Sequence, residues 1–134
     1  MCLIALSVEK SKDWNGKESY FFKVIANRDE YHERKTTVMH WWSNKEILAG
    51  KDEEAGGTWL GTNREGKFGA ITNLKENTKI KYKSSRGALV TDFLESNLSA
   101  KAYLEKVEPI MDTYAGFNLI VGDKKGLFYL CNRL

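Results

Sequence analysis

Three short glycine-bearing turns, each set between two β-type runs, constrain the fold of this chain more than any other feature. Asp13-Trp14-Asn15-Gly16-Lys17 follows the run Cys2 to Val8 and precedes Tyr20 to Ala26. Asn63-Arg64-Glu65-Gly66 separates Thr58–Thr62 from Lys67–Thr72, and Gly122-Asp123-Lys124-Lys125-Gly126 separates Phe117–Val121 from Leu127–Cys131. Such clusters supply positive φ values and side-chain-to-backbone bonds, so each pair of runs reads as an antiparallel hairpin.

Between the second and third hairpins the apolar period changes from two to that of a helix. Leu89, Val90, Phe93 and Leu94 share one helical face, and Ser99 is a helix N-cap candidate. The second helix carries Ala100, Leu104, Val107 and Met111 at helical spacing, and Pro109 should kink it or end it early. Strands, two helices, then strands is an α+β order with antiparallel sheet and segregated helices. Residues 31–50, with Trp41-Trp42 and Ile47-Leu48-Ala49-Gly50, receive no firm class.

The 134 residues, 42% hydrophobic with one proline, suit a single ordered domain over 1–134. The net charge of +3 comes from well-mixed signs and does not point to nucleic acid. No apolar run approaches the roughly 18 residues of a membrane span, and no signal peptide opens the chain, so the expected location is cytoplasmic. In a reducing cytosol the two cysteines, Cys2 and Cys131, are expected as free thiols. His32, His40 and the cysteines lack the short paired spacings of a zinc site, and no cofactor is assigned. Gly56-Gly57-Thr58-Trp59-Leu60-Gly61 implies close backbone approach or positive φ, but no Gly-Lys-Ser/Thr follows to make it a nucleotide loop.

Cys2 carries the sharpest chemical suggestion. Removal of Met1 would leave it with both a thiol and a free α-amine at a strand start, a nucleophile with its own base. Taken alone, Cys2 reads more simply as a small buried hydrophobe. Asn27, Asn73 and Asn132 stand at strand ends, where an amide serves either turn chemistry or an oxyanion. Arg28 and Asp29 are either a solvated turn pair or an anion holder beside a carboxylate that fixes the Cys2 amine. Ser85-Arg86-Gly87 opens a helix, giving either an anion site at its N-terminus or a plain serine cap. Lys79, Lys81 and Lys83 fall on alternate positions, as in a guarded edge strand.

Several segments together resemble the NRDE family, also called transport and Golgi organisation protein 2. They are Met1-Cys2-Leu3-Ile4, Ile25-Ala26-Asn27-Arg28-Asp29-Glu30, Ile47 to Asp52, Gly56 to Gly61, Ala70 to Asn73, Ser85-Arg86-Gly87 and Gly116 to Asp123. They occur in the family's order and spacing across nearly the whole chain, with Lys51 where the family usually has Arg and Lys35 where it usually has Pro. The family is similar to N-terminal nucleophile hydrolases, so the resemblance implies αββα layers with antiparallel sheets, incomplete at the C-terminus because typical members continue for about as long again. By the same resemblance Cys2 is the nucleophile, Arg28 and Asp29 support it, and Asn73 is the oxyanion donor. Leu130-Cys131-Asn132 matches a later strand end whose Asn also belongs to the active site in those enzymes.

Two functions follow. The first is a cysteine amidohydrolase or acyl-transfer enzyme using Cys2 after Met1 removal, acting on a small-molecule amide or acyl compound. The alternative is a non-catalytic carrier or chaperone for haem or lipid-like ligands, linked to secretory or membrane homeostasis. There, Trp41, Trp42 and Trp59, with Lys and Arg nearby, would hold a flat anionic ligand, and Trp59 and Arg86 are the binding candidates. An unfinished sheet exposes an edge, which favours a homodimer. Nucleic-acid binding would rest only on Lys79, Lys81, Lys83 and Arg86, and is not expected.

Overall fold

Asp13 shapes the first turn, because its Oδ1 accepts the main-chain N–H groups of Asn15 and Lys17, each at 2.9 Å. This Asx-type arrangement reverses the chain between β1 (Leu3–Lys12) and β2 (Glu18–Asn27). The strands pair antiparallel without a break from Leu3↔Asn27 to Lys12↔Glu18. The computed structural model describes residues 2–77, 80, 82 and 84–133. Within it residues 1–30 and 31–134 are two separate compact units.

The second unit is built on a six-stranded antiparallel sheet whose strands lie in sequence order. They are β3 (Thr36–Trp41), β4 (Ile47–Asp52), β5 (Leu60–Asn63), β6 (Phe68–Asn73), β7 (Phe117–Asp123) and β8 (Gly126–Cys131). Helices α1 (Arg86–Glu95) and α2 (Ala100–Val107) are inserted between β6 and β7. Mixed helices and antiparallel sheets agree with the α+β expectation.

β3 and β4 occupy the stretch that sequence left unassigned. A bulge between Thr37 and His40 breaks the alternation of β3, and the His40 ring Nδ1 lies 2.7 Å from the Val38 carbonyl. β4 is hidden on both faces, with Ile47, Ala49, Gly50 and Asp52 all buried, so it carries no alternation to read.

The core lies between α1, α2 and one face of the sheet. Leu89, Val90, Phe93 and Leu94 pack with Ile47, Ala49, Ile71, Phe117, Leu119 and Val121. Gly57 lets α1 dock closely, since a Cβ there would lie 2.8 Å from the Gly87 carbonyl carbon. Its neighbour Gly56 has φ +74°, so the glycine cluster serves both purposes read from the sequence.

Ser99 caps α2 as expected, its Oγ accepting the Ala102 N–H at 3.3 Å. Asp123, at the end of β7, adds a second cap by accepting the Ala100 N–H at 2.6 Å. Pro109 ends the α-helical path, and Glu108–Thr113 continues as a 3-10 helix. Ser85 stands at the N-cap of α1 but its side chain makes no capping hydrogen bond. Among the described residues, no helix is long and apolar enough to cross a membrane.

Candidate functional site

In the first unit the close of the β1–β2 ladder brings Cys2 and Asp29 together. The Asp29 main-chain N–H donates to Cys2 Sγ at 3.4 Å, and Sγ lies 3.9 Å from the Asp29 carbonyl oxygen. One residue along, the Leu3 N–H donates to Asn27 Oδ1 at 2.9 Å. Cys2 is half-buried and is a free thiol. Arg28 is half-buried and Asp29 exposed, both just beyond the last residue of β2. Met1 lies outside the described residues.

In the second unit three of the remaining candidates converge on one end of the sheet, around Gly116 and Phe117. Asn73 ends β6 directly opposite Phe117. It is exposed, and its side chain makes no hydrogen bond among the described residues. Asn132 is buried, and its Oδ1 accepts the Phe117 N–H at 2.8 Å. Its Nδ2 faces the carbonyl oxygens of Met111 at 2.9 Å, Tyr114 at 3.2 Å and Ala115 at 3.3 Å. Arg86 opens α1 and donates to the Gly116 carbonyl at 2.8 Å, so its guanidinium ties a helix to a strand entry.

Sequence reasoning missed the carboxylate of this end. Glu76 accepts the Gly116 N–H at 2.6 Å and binds Arg133 Nε at 2.7 Å. These two bonds, the amide first, hold its carboxyl below its ordinary value of 4.5. Arg133 also donates to the Tyr82 hydroxyl at 3.1 Å and to the Tyr114 carbonyl at 3.0 Å. The available signal was the pairing of an acidic residue just after one strand with a basic residue just after another.

The tryptophans divide. Trp42 is core, with its indole N–H on the Ala49 carbonyl at 3.1 Å. Trp59 is half-buried against the core, and its carbonyl accepts the Ile71 N–H at 2.8 Å. Trp41 is 43% exposed, and the Arg64 guanidinium lies 4.0 Å over its ring. A cleft of about 350 Å³ at the C-terminal end of α1 is lined by Lys45, Glu46, Asn63, Arg64 and Glu95 among others, and by none of the sequence-predicted site residues. Lys79, Lys81 and Lys83 lie outside the described residues. Among the described residues, no three or more His, Cys, Asp or Glu side chains are grouped to hold a metal ion.

The model of the Transport and Golgi organisation 2 family matches residues 1–134. The chain belongs to that family. A mouse Transport and Golgi organization 2 homolog is 41% identical over 111 residues, covering 80% of this chain and 40% of the mouse protein. The human homolog is 40% identical over the same shares. An uncharacterized protein of Saccharomyces cerevisiae is 42% identical over 84 residues, covering 56% of this chain and 27% of its own length. The chain thus spans about two fifths of the length of the mammalian family members it matches.

Proposed function

We propose that this family member is a cysteine N-terminal nucleophile enzyme that cleaves or transfers an acyl group from a small amide or thioester, with residues 1–134 acting as one domain of the N-terminal nucleophile hydrolase type. The contact that carries the reading is the Asp29 N–H on Cys2 Sγ at 3.4 Å. A fixed main-chain donor there holds the sulfur in one position beside the α-amine that loss of Met1 would free.

In this reading the α-amine of Cys2, freed by loss of Met1, takes the thiol proton. The thiolate attacks the substrate carbonyl carbon, and an amide N–H donor holds the resulting oxyanion. Collapse breaks the bond to the leaving amine or thiol, which departs with the proton from the α-ammonium. Water then attacks the acyl thioester, the α-amine accepting one proton, and the carboxylic acid leaves as the thiol is restored. Arg28 and Asp29 orient the nucleophile and the substrate. Asn132 positions the strand entry, because its amide is already engaged with the backbone. The two free thiols suit a cytoplasmic location.

Turnover of a panel of N-acyl amides and acyl thioesters tests the proposal. It expects an acyl adduct on Cys2 in wild type and none in Cys2→Ala, and an adduct that forms equally in Cys2→Ala contradicts it.

A second reading rests on the Arg64 guanidinium stacked over half-exposed Trp41. A cation on an exposed aromatic face suits a flat anionic ligand such as haem, carried and not transformed. Saturable change in haem absorbance, weakened in Trp41→Ala, is the expected result; non-saturable binding contradicts it. A second copy pairing along β3 or β8, strands that hold no charged residue, is the protein partner that either reading would carry.

A further inference from the structure

The β1–β2 ladder ends in an irregular way. Leu3 and Asn27 are paired, and continued register would set Cys2 opposite Arg28 and carry β2 straight on. At this last pair the Leu3 N–H donates to the side-chain oxygen of Asn27 at 2.9 Å. An antiparallel ladder is ordinarily closed by main-chain carbonyls, which keep both strands running together. The added side-chain bond ties β1 down at its first residue, and the main chain after Asn27 leaves strand geometry. That departure lets the Asp29 N–H turn onto Cys2 Sγ at 3.4 Å.

We propose that Asn27 is a positioning residue for Cys2: its amide oxygen fixes the Leu3 N–H, and through that bond sets the Cys2 sulfur against the Asp29 main-chain donor. The inference rests on the reading of Cys2 as nucleophile, and it concerns the thiol's reactivity before any substrate is bound. Asn, like Asp, places an acceptor oxygen at this reach from this position. An aliphatic side chain removes that bond and loosens the start of β1 beside Cys2. A serine hydroxyl, one atom shorter, holds the amide less well.

The test is the rate of Cys2 carbamidomethylation by iodoacetamide between pH 6 and pH 9 in the 134-residue chain carrying Cys131→Ser. Asn27→Leu is expected to lower the rate near neutral pH roughly tenfold, the size of losing one hydrogen bond to a charged group. Asn27→Ser is expected to fall between Asn27→Leu and the parent. Gly16→Ala serves as the structural control, because Gly16 has φ +77° in the distal turn and an alanine there strains the same hairpin without touching its other end. Its rate is expected to stay within about twofold of the parent. Parent-like alkylation in Asn27→Leu overturns the proposal, and so does a loss in Gly16→Ala equal to that in Asn27→Leu. No substrate enters this assay, so failure to find acyl transfer and failure of Asn27 to act on Cys2 are separate results.

Discussion

Asn132 and Asn73 were read from the sequence as the same kind of residue, an amide at a strand end, and their surroundings now differ. Asn132 is buried and binds four main-chain groups around the entry to β7. Asn73 is exposed at the end of β6, with its amide turned to no described partner. Nothing in the local sequence separates the two, because burial is decided by the 3-10 helix Glu108–Thr113 and its following turn, which wrap Asn132 from elsewhere in the chain. Removing Asn132 leaves a buried N–H and several carbonyls short of partners. Asn132→Ala should therefore cost about 2–4 kcal/mol in urea unfolding, while Asn73→Ala should cost less than about 0.5 kcal/mol. Equal costs would mean that the two amides are held alike.

Among elements, the hairpins were legible because turn chemistry and alternation are both local. The Asp13, Asn63 and Asp123 side chains each organise a turn through bonds to amides within the next four residues. β3 and β4 were not legible, since a bulge destroys the period of one and two-sided burial destroys the period of the other. The capping of α2 by Asp123 was also hidden, because the donor and acceptor are 23 residues apart.

Three carboxylates that tie elements together set an acid limit on the fold. Burial works against ionisation of Asp52, but Arg34 at 2.7 Å and the amides of Ala55 and Glu54 outweigh it and hold the group below its ordinary 3.8. Asp123 is likewise buried in part, and the amides of Ala100, Lys125 and Gly126 lower it in the same way. Glu76 is held down by Gly116 and Arg133. A depressed carboxyl contributes its stability in full above its unfolded value and loses it as pH falls through the folded one. Asp92, raised by burial and by Glu95, acts in the opposite sense over pH values just above 3.8. The urea midpoint should therefore fall steeply below about pH 4, and Asp52→Asn should flatten that fall. A midpoint independent of pH between about 5 and 2 would contradict the assignment.

At the scale of the whole molecule, family membership was legible because separate short motifs keep order and spacing along the chain, and the family match over residues 1–134 agrees with it. Function was less legible. The NRDE segment names Arg28 and Asp29, yet the group that meets the Cys2 sulfur is the main-chain N–H of Asp29, which any residue but proline would supply. Side-chain identity marks the place, and backbone geometry supplies the donor. The tryptophans were legible as apolar mass but not as surface or core: Trp42 is buried, while Trp41 is 43% exposed with the Arg64 guanidinium over its ring.

The central claim is that Cys2 is an activated terminal nucleophile, and intact-mass spectrometry after brief treatment with iodoacetamide tests it most directly. The expected result is a protein lacking Met1 with a single adduct that peptide mapping places on Cys2, formed before Cys131 reacts. A protein that keeps Met1 and whose Cys2 stays unmodified while Cys131 is alkylated would contradict the account.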